Sequence, residues 1–248
     1  SNGVSDIVAV KVGFDGIVVA NAKNAPELNL TLKQIYLAFA KEVPVGGKLV
    51  ANPYKKWSEI DASLPDAPIE AFGPPPTSGT RDAFVEIAME GGAKQIDMLK
   101  ALKDSDGDAF EQVARTLRED GPWVDAGEND NAIVQTLVQN PTAVGIFGFS
   151  FLDQNSDKIK GAAVDGADPT FDNTAAGDYP VSRSLYFYVK KQHVGVVPGI
   201  EEYVAEFVSE DAFGPSGYLA DKGLIPLPDD MRTTVRENAL SLSVWDGS

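Results

Sequence analysis

The residues best suited to chemistry form one short stretch, TSGTR at 77–81, which follows three consecutive prolines. A stretch with helical periodicity begins there, and the first turn of a helix leaves backbone N–H groups unpaired and carries a positive partial charge. Gly79 permits close backbone approach by a ligand. Ser78 and Thr80 add hydroxyl donors, and Arg81 adds a full charge with a planar fork that matches an oxyanion. The stretch therefore predicts an anion-binding site at a helix start.

The same residues also fit an ordinary helix start. Serine and threonine are common N-cap residues, and Arg81 would then pair with Asp82 or Glu86 in solvent. The stretch is not the phosphate loop of nucleotide hydrolases, because it lacks that loop's glycine spacing and its Lys-Ser/Thr ending. GENDN at 127–131 precedes another predicted helix, and Asn129 there could face the same ligand or close a capping turn. We favour the capping turn.

Other chemistry-bearing residues are few. The chain has no cysteine, which excludes disulfides and thiolate sites, and one histidine, His193, in a polar KKQH corner where we expect exposure. Asp104, Asp106 and Asp108 resemble calcium ligands, but no glutamate follows at the spacing of an EF-hand loop, so we expect a solvated acidic turn. We predict no catalytic residue, no metal site and no cofactor.

Composition limits the classes of function. The 248 residues include 21 Lys+Arg and 37 Asp+Glu, which gives a net charge of −16. This charge argues against nucleic acid as a partner, because phosphate backbones need clustered basic residues. It does not exclude a small buried anion, since surface charges are screened beyond about 8 Å at physiological salt. Residues 1–4 contain no signal peptide, and a start at Ser1 rather than Met is typical of a processed or trimmed chain.

The elements around these residues alternate between strands and helices and predict an α/β fold. Strands are predicted at 7–12, 16–20, 69–72, 143–149 and 179–190, with Gly13 and Gly16 separating the first two. Helices are predicted to begin near Thr31, Ser78, Asp108, Asp130 and Pro198, and one or two shorter helices are expected within 216–238. The residues from 153 to 178 form a polar segment rich in glycine and aspartate.

Six separated motifs occur in the order found in the phosphate-binding proteins of bacterial ABC phosphate-uptake systems. They are VGFDGIVVAN (12–21), LKQIY with the later WSEI (32–36, 57–60), SGT (78–80), GEND (127–130), GIFGF (145–149) and YPVSRSLY (179–186). The chain resembles this family over nearly its whole length. The resemblance implies the type II periplasmic-binding-protein fold, in which two α/β lobes are joined by crossing strands. Residues 22–178 would form the lobe with the SGT helix start, and 1–21 with 179–248 an incomplete first lobe with hinge strands.

The resemblance also implies a function. A protein of this family captures inorganic phosphate in a cleft between its lobes and delivers it to a membrane permease, at the periplasmic or extracellular face of the cell membrane. We expect a monomer without enzymatic activity. The expected phosphate-binding residues are Ser78, Gly79, Thr80 and Arg81, with Thr77 and Asn129 as secondary candidates.

The chain departs from the family pattern at two points. Pro74 stands four residues before Ser78, where familiar members have an arginine, so we hypothesise that Arg81 supplies the positive charge instead. Nothing corresponds to the family's leading segment, whose aspartate accepts a proton from bound phosphate and so discriminates against sulfate. The chain therefore resembles the larger, C-terminal part of a binding protein, and we expect weak or absent phosphate binding from these residues alone.

Three alternatives stay open at this point. The first is a binding protein of the same fold for sulfate, molybdate or tungstate. The second is a phosphate-ester hydrolase that uses Ser78 or Thr80 covalently, which would need a nearby base. The third is an interaction protein without a transport role.

Overall fold

The first strand, β1 (Ile7–Ala22), runs unbroken through both β-branched runs near the start of the chain. The expected division into two strands at Gly13 and Gly16 is therefore wrong. Gly13 lies inside the strand because another segment passes very close to it: a Cβ on Gly13 would lie 2.5 Å from the Ile225 carbonyl oxygen. Phe14 and Ile225 exchange backbone hydrogen bonds at this point, with lengths of 2.8 and 3.2 Å.

Residues 5–127 and 129–245 are described in this structure, a computed structural model. Within them, the strands after β1 are β2 (Asn29–Leu30), β3 (Glu42–Val45), β4 (Lys48–Ala51), β5 (Ala71–Gly73), β6 (Trp123–Asp125), β7 (Val144–Gly148), β8 (Ile159–Gly161), β9 (Ala163–Val164) and β10 (Ser182–Lys190). The helices are α1 (Leu32–Phe39), α2 (Trp57–Ile60), α3 (Gly79–Phe84), α4 (Glu90–Ala93), α5 (Asp97–Ser105), α6 (Gly107–Arg115), α7 (Asp130–Gln139), α8 (Phe149–Gln154), α9 (Phe171–Ala176), α10 (Ile200–Phe207), α11 (Glu210–Phe213) and α12 (Asp229–Leu240). A π-helical turn, Val85–Met89, joins α3 to α4.

The chain divides into two compact units. Unit 1 contains Ser1–Asp15, Thr174–Ala176 and Arg183–Ser248, and unit 2 contains Gly16–Asn173 and Gly177–Ser182. The lobe boundaries implied by the family resemblance, with 22–178 in one lobe and 1–21 and 179–248 in the other, stay a prediction.

Three parallel strands organise unit 2. β5 pairs in parallel with β6 on one side and with β7 on the other. β7 and β8 pair antiparallel with the second half of β1. Because β5, β6 and β7 run in the same direction, the chain leaves their carboxyl ends at the same edge of the sheet, and the segments that follow these ends are positioned there together.

The core of unit 2 explains how α3 is held in place. α1 buries Leu32, Ile35, Tyr36 and Phe39, whose spacing puts them on one face of the helix. The ring of Phe39 meets Trp123 edge-on with 5.7 Å between centroids, and Trp123 stacks on Phe84 of α3 at 5.7 Å. These aromatic contacts fix α3 against β6, so the start of α3 is set by buried packing.

Unit 1 is built on the first half of β1 and on β10, which lie next to each other in the sheet. Val8, Val10 and Val12 alternate along β1 and are buried, as expected for a strand with one face on the core. α10 and α12 pack against each other in this unit. Across the described residues, the helices lack the length and apolar composition that crossing a bilayer requires.

Several predicted elements are confirmed, and others differ. Thr31 caps α1 and Asn129 caps α7, so both helices begin where predicted. The strand predicted to end at residue 149 instead ends at Gly148, because Phe149 begins α8. The polar segment of 153–178 contains β8, β9 and α9, and α5 was not predicted. Short strands and amphipathic helices of about two turns carry little periodic signal, which explains these misses.

Candidate anion-binding site

The site is built at the start of α3. β5 ends at Gly73, and the prolines at 74–76 carry the chain from this strand to Ser78, whose backbone N–H donates to the Pro75 carbonyl at 3.0 Å. Ser78 is the N-cap: its backbone is extended (φ −88°, ψ 129°) and its Oγ accepts from the Thr80 N–H at 3.2 Å. The stretch is therefore a genuine helix start.

Gly79 is the first residue of α3 and is exposed. A Cβ built on Gly79 meets no atom within 4 Å, and the backbone there does not have a positive φ. Neither packing nor backbone conformation therefore requires a glycine at this position. The space over the helix start is open to a ligand, and Ser78 and Thr80 are partly exposed on either side of it.

Arg81 turns back toward the segment that precedes the helix. Its Nη1 donates to the Pro74 carbonyl oxygen at 3.3 Å and to Oδ1 of Asp125. The guanidinium carbon lies 5.6 Å from the centre of the Trp123 ring. The pairing with Asp82 or Glu86 that an ordinary solvated helix start would give is therefore wrong. Asp125 offsets the charge of Arg81, and the side chain of Arg81 is only 17 % exposed.

Asp125 and Trp123 hold this arrangement from β6. Trp123 Nε1 donates to Asp125 Oδ1 at 2.9 Å, the same oxygen that accepts from Arg81. β5 lies directly alongside, with Gly73 opposite Asp125 in the register. A Cβ on Gly73 would lie 2.3 Å from Trp123 Cζ2, so this glycine is what lets the indole lie against β5.

Sequence reasoning missed Asp125. The residue ends a strand of three residues, and its relation to Arg81 depends on the parallel pairing of β5 with β6. The one indication available in the sequence was an aspartate at the end of an apolar run, which is common at the ends of strands. Non-local pairing cannot be read from such a pattern.

The secondary candidates lie after the carboxyl ends of neighbouring strands. Thr77 is exposed and directly precedes the N-cap Ser78. Asn129 follows β6, and its Oδ1 accepts from the Asn131 N–H at 3.1 Å, so its side chain caps α7 as the capping interpretation requires. Glu128, which belongs to the same predicted turn, lies outside the described residues.

His193 and the aspartates of the 104–108 segment do not come together in a common site. His193 is exposed in a short 3₁₀ turn, Lys191–His193. Asp106 caps α6 by accepting from the Ala109 N–H at 3.0 Å. Over the ranges 5–127 and 129–245, His, Asp and Glu side chains form no group of three or more that could hold a metal ion.

The fold and the site together define a class of protein. In open α/β sheets, ligands bind outside the carboxyl ends of parallel strands, and here a helix start with an open glycine follows the central strand of three. This is the architecture of the α/β solute-binding proteins of the type II periplasmic class. The model of the PBP superfamily domain matches residues 1–211, so the chain belongs to the PBP superfamily.

Comparison with known proteins agrees with this assignment. The chain is 29 % identical over 224 residues to the phosphate-binding protein PstS of Staphylococcus saprophyticus, with 88 % of this chain and 57 % of the relative covered. It is 26 % identical over 230 residues to the protein SphX of a Synechocystis strain, with 90 % and 57 % covered. The crystal structure of a possible phosphate binding protein from Planctomyces limnophilus is similar in fold, with a TM-score of 0.68, 24 % identity, and 98 % of this chain and 74 % of that one covered.

These comparisons confirm the predicted α/β fold and the resemblance to phosphate-binding proteins. The chain spans only a little over half the length of the two relatives named above. Two further PstS proteins of Staphylococcus epidermidis also carry the name phosphate-binding protein, and none of these names describes an enzyme.

Proposed function

We propose that this chain is the solute-binding component of a phosphate ABC transporter and that Ser78, Gly79 and Thr80 bind inorganic phosphate. The observation that carries the proposal is the open helix start of α3, where Gly79 has no neighbour within 4 Å of a Cβ position and hydroxyl side chains flank it. First-turn N–H groups of a helix lack intrahelical acceptors, so they can donate to an anion at this place. The relatives named phosphate-binding protein support phosphate as that anion.

Arg81 supplies the positive charge in this proposal. Its Nη1 lies 3.3 Å from the Pro74 carbonyl, so the guanidinium lies beside the very position that an arginine occupies in familiar members of the family. Arg81 lies seven residues further along the chain, and its side chain reaches back to the backbone at Pro74. A bound oxyanion would share the guanidinium with Asp125, which accepts from it in this structure. Thr77 and Asn129 are proposed as secondary contacts.

The wider role is part of the same proposal, and the relatives named phosphate-binding protein support it. We propose delivery of phosphate to a membrane permease, a location at the periplasmic or extracellular face of the cell membrane, a monomeric protein, and no catalytic activity. The net charge of −16 supports the absence of a nucleic-acid partner. The same charge slows long-range capture of an anion without changing the local donors of the site.

Titration calorimetry tests this function directly. Phosphate, sulfate, molybdate and tungstate are titrated into the millimolar range, both into this chain and into the full-length protein that contains it. We expect saturable binding of phosphate in preference to the other anions, weaker than micromolar for the 248 residues alone. Preference for another oxyanion would replace phosphate as the ligand, and no anion binding by the full-length protein would contradict the proposal.

A second assay addresses catalysis. The full-length protein is incubated with a chromogenic phosphate ester, and we expect no release of the chromophore above the buffer rate. Turnover that is lost in Ser78→Ala or Thr80→Ala would favour the hydrolase alternative, since either hydroxyl could then act as the nucleophile.

A further inference from the structure

One loop of unit 1 combines basic and apolar side chains at the surface. Residues 190–199, here called the 190–199 loop, lead from the last residue of β10 to the start of α10. Its exposed side chains are of two kinds, first basic and then apolar: Lys190, Lys191 and His193, followed by Val196, Val197 and Pro198. Val196 is 77 % exposed and Val197 46 %. Adjacent exposed apolar residues beside charged ones are typical of an interaction surface.

Hydrogen bonds give the loop a defined shape. The N–H groups of Val196 and Val197 both donate to the His193 carbonyl, at 3.1 and 2.8 Å. Lys191 Nζ donates to the Leu242 carbonyl at 2.9 Å, which ties the loop to the segment after α12. The two valines are therefore held at the surface by a folded turn, and a partner that contacts them does not first have to order the chain.

Aromatic rings extend the apolar surface beside the loop. A groove of about 530 Å³ lies against it, lined by Phe187, Tyr188, Pro198 and Tyr203 among others. The ring of Phe187 meets Tyr203 edge-on with 6.1 Å between centroids, and both tyrosines are exposed. Tyrosine has an apolar ring and a polar hydroxyl, so it suits the boundary between lipid headgroups and hydrocarbon.

The local charge of this region is opposite to that of the chain. Residues 183–200 contain three basic residues and one histidine but no acidic residue, whereas the net charge of the whole chain is −16. The Lys191 ammonium donates to a carbonyl and not to a carboxylate, so its charge is not neutralised. Charges beyond about 8 Å are screened at physiological salt, so the loop meets an anionic surface mainly with its own lysines. Glu201 and Glu202, in the first turn of α10, limit this attraction. Apolar contact must therefore contribute as well.

We propose that the 190–199 loop binds the surface of an anionic lipid bilayer. Lys190 and Lys191 contact lipid phosphate groups, while Val196 and Val197 enter the boundary between headgroups and acyl chains. Two weak signals of this kind together give reversible peripheral binding. A bilayer can accept a tip of two valines, whereas a stable protein interface needs about 800 Å² on each partner. The contact does not depend on the proposed binding of phosphate.

Flotation with lipid vesicles tests the proposal. This chain and the full-length protein that contains it are each mixed with vesicles of phosphatidylcholine alone or of equal parts phosphatidylcholine and phosphatidylglycerol. One variant carries Lys190→Gln with Lys191→Gln, and a second carries Val196→Ser with Val197→Ser. The thermal transition of each variant shows that it is folded. The two variants change different residues, so each tests the loop by itself.

The turn between β3 and β4 provides a matched control. It also has an exposed valine, Val45 (45 %), and an exposed lysine, Lys48, three residues apart, but it belongs to unit 2. The control variant carries Val45→Ser with Lys48→Gln. It removes the same kinds of side chain from another exposed turn, so it measures any general effect of surface charge and apolarity.

We expect both proteins to float with the phosphatidylglycerol vesicles at lipid concentrations on the order of 1 mM, and less with phosphatidylcholine alone. The lysine variant should lower the partition coefficient roughly 10- to 30-fold, since each lysine at an anionic surface contributes about fivefold. The valine variant should lower it at least roughly tenfold, because it removes apolar side chains that leave water on binding. The control variant should bind like the parent, and added salt should weaken binding by the parent.

Several results would overturn the proposal. They are no binding to either vesicle, equal binding by all variants, and equal binding with and without phosphatidylglycerol. Binding by this chain that the full-length protein lacks would also overturn it, because another part of the protein would then cover the loop. Binding only to vesicles reconstituted with a permease would assign the loop to a protein partner instead. Phosphate is absent from every sample, so this proposal and the proposed function can fail independently.

Discussion

Arg81 donates through Nη1 to Oδ1 of Asp125, the oxygen that also accepts from Trp123 Nε1 at 2.9 Å. The guanidinium beside the helix start is therefore oriented by a carboxylate that ends the neighbouring strand. An anion bound at the start of α3, as proposed above, would meet a guanidinium that Asp125 already holds in position and whose charge Asp125 offsets. Binding in such a site depends on local donors and on competition with Asp125 for the guanidinium.

Replacing Arg81 tests its part in phosphate binding. We expect Arg81→Ala to weaken phosphate binding by the full-length protein roughly 10- to 100-fold, because a charge-assisted contact is lost. Ser78→Ala and Thr80→Ala should each weaken it less, by roughly threefold to tenfold. Calorimetry measures the affinities, and Arg236→Ala, at an exposed position on α12, is the control. Unchanged affinity in Arg81→Ala alongside losses in the serine and threonine variants would refute the role of Arg81.

A substitution at Gly79 tests phosphate binding separately from the stability of the fold. Gly79→Ala should leave the free energy of unfolding within about 0.5 kcal/mol of the parent, since a Cβ there meets nothing within 4 Å. It should weaken phosphate binding at least tenfold, because the methyl group occupies space that the ligand needs. Gly107→Ala is a closely matched control: Gly107 is also the first residue of its helix and also has open space at its Cβ position. Equal phosphate affinity in the two variants would argue against a ligand over Gly79.

Arg118 should be essential for stability. Its side chain is 1 % exposed and makes contacts that a lysine cannot reproduce. The guanidinium donates to the carbonyl oxygens of Ala38, Asn52 and Tyr54 and to both carboxylate oxygens of Asp120. We expect Arg118→Lys to lower the free energy of unfolding in urea by about 3 kcal/mol, because several buried acceptors lose their partners. Arg236→Lys is the control, and a loss below about 1 kcal/mol would contradict this account.

Glu90 should make stability depend on pH. Burial of Glu90 would raise its pKa, but hydrogen bonds and charges from Lys94 and Arg115 outweigh burial and hold the pKa below the usual 4.5. The unfolded state then binds the proton more tightly, so the stabilisation is complete above about pH 5 and is lost as pH falls through the lowered folded-state pKa. The difference in unfolding free energy between the parent and Glu90→Gln should be about 1–3 kcal/mol at pH 7 and should shrink below about pH 4.

Urea unfolding at several pH values measures this difference. Glu237→Gln, at an exposed position on α12, is the control and should show little change with pH. A difference between the parent and Glu90→Gln that stays constant from pH 7 to about pH 3 would show that Glu90 acts through packing and not through its charge.

Much of the candidate site could be predicted from the sequence, because its capping hydrogen bonds join residues that are close together along the chain. Ser78 caps α3 through the Thr80 N–H, two residues away, and Thr31 and Asn129 cap their helices over similarly short spans. Capping, turn chemistry and helical periodicity all act within a few residues, so the amino-acid order contains them directly. The order of the motifs along the chain also sufficed to indicate the fold.

Relations between distant residues needed the folded chain. Arg81 could have met Asp82 or Glu86 by local spacing, yet it pairs with Asp125, 44 residues on, because β5 and β6 lie side by side. Gly13 was expected to end a strand, but Ile225 packs closely against it within the continuous β1. Asp15 and Arg183 face each other only because β1 and β10 are neighbours in the sheet. Which strands pair depends on burial and hydrogen bonding over the entire chain. It therefore cannot be predicted from a short window of residues.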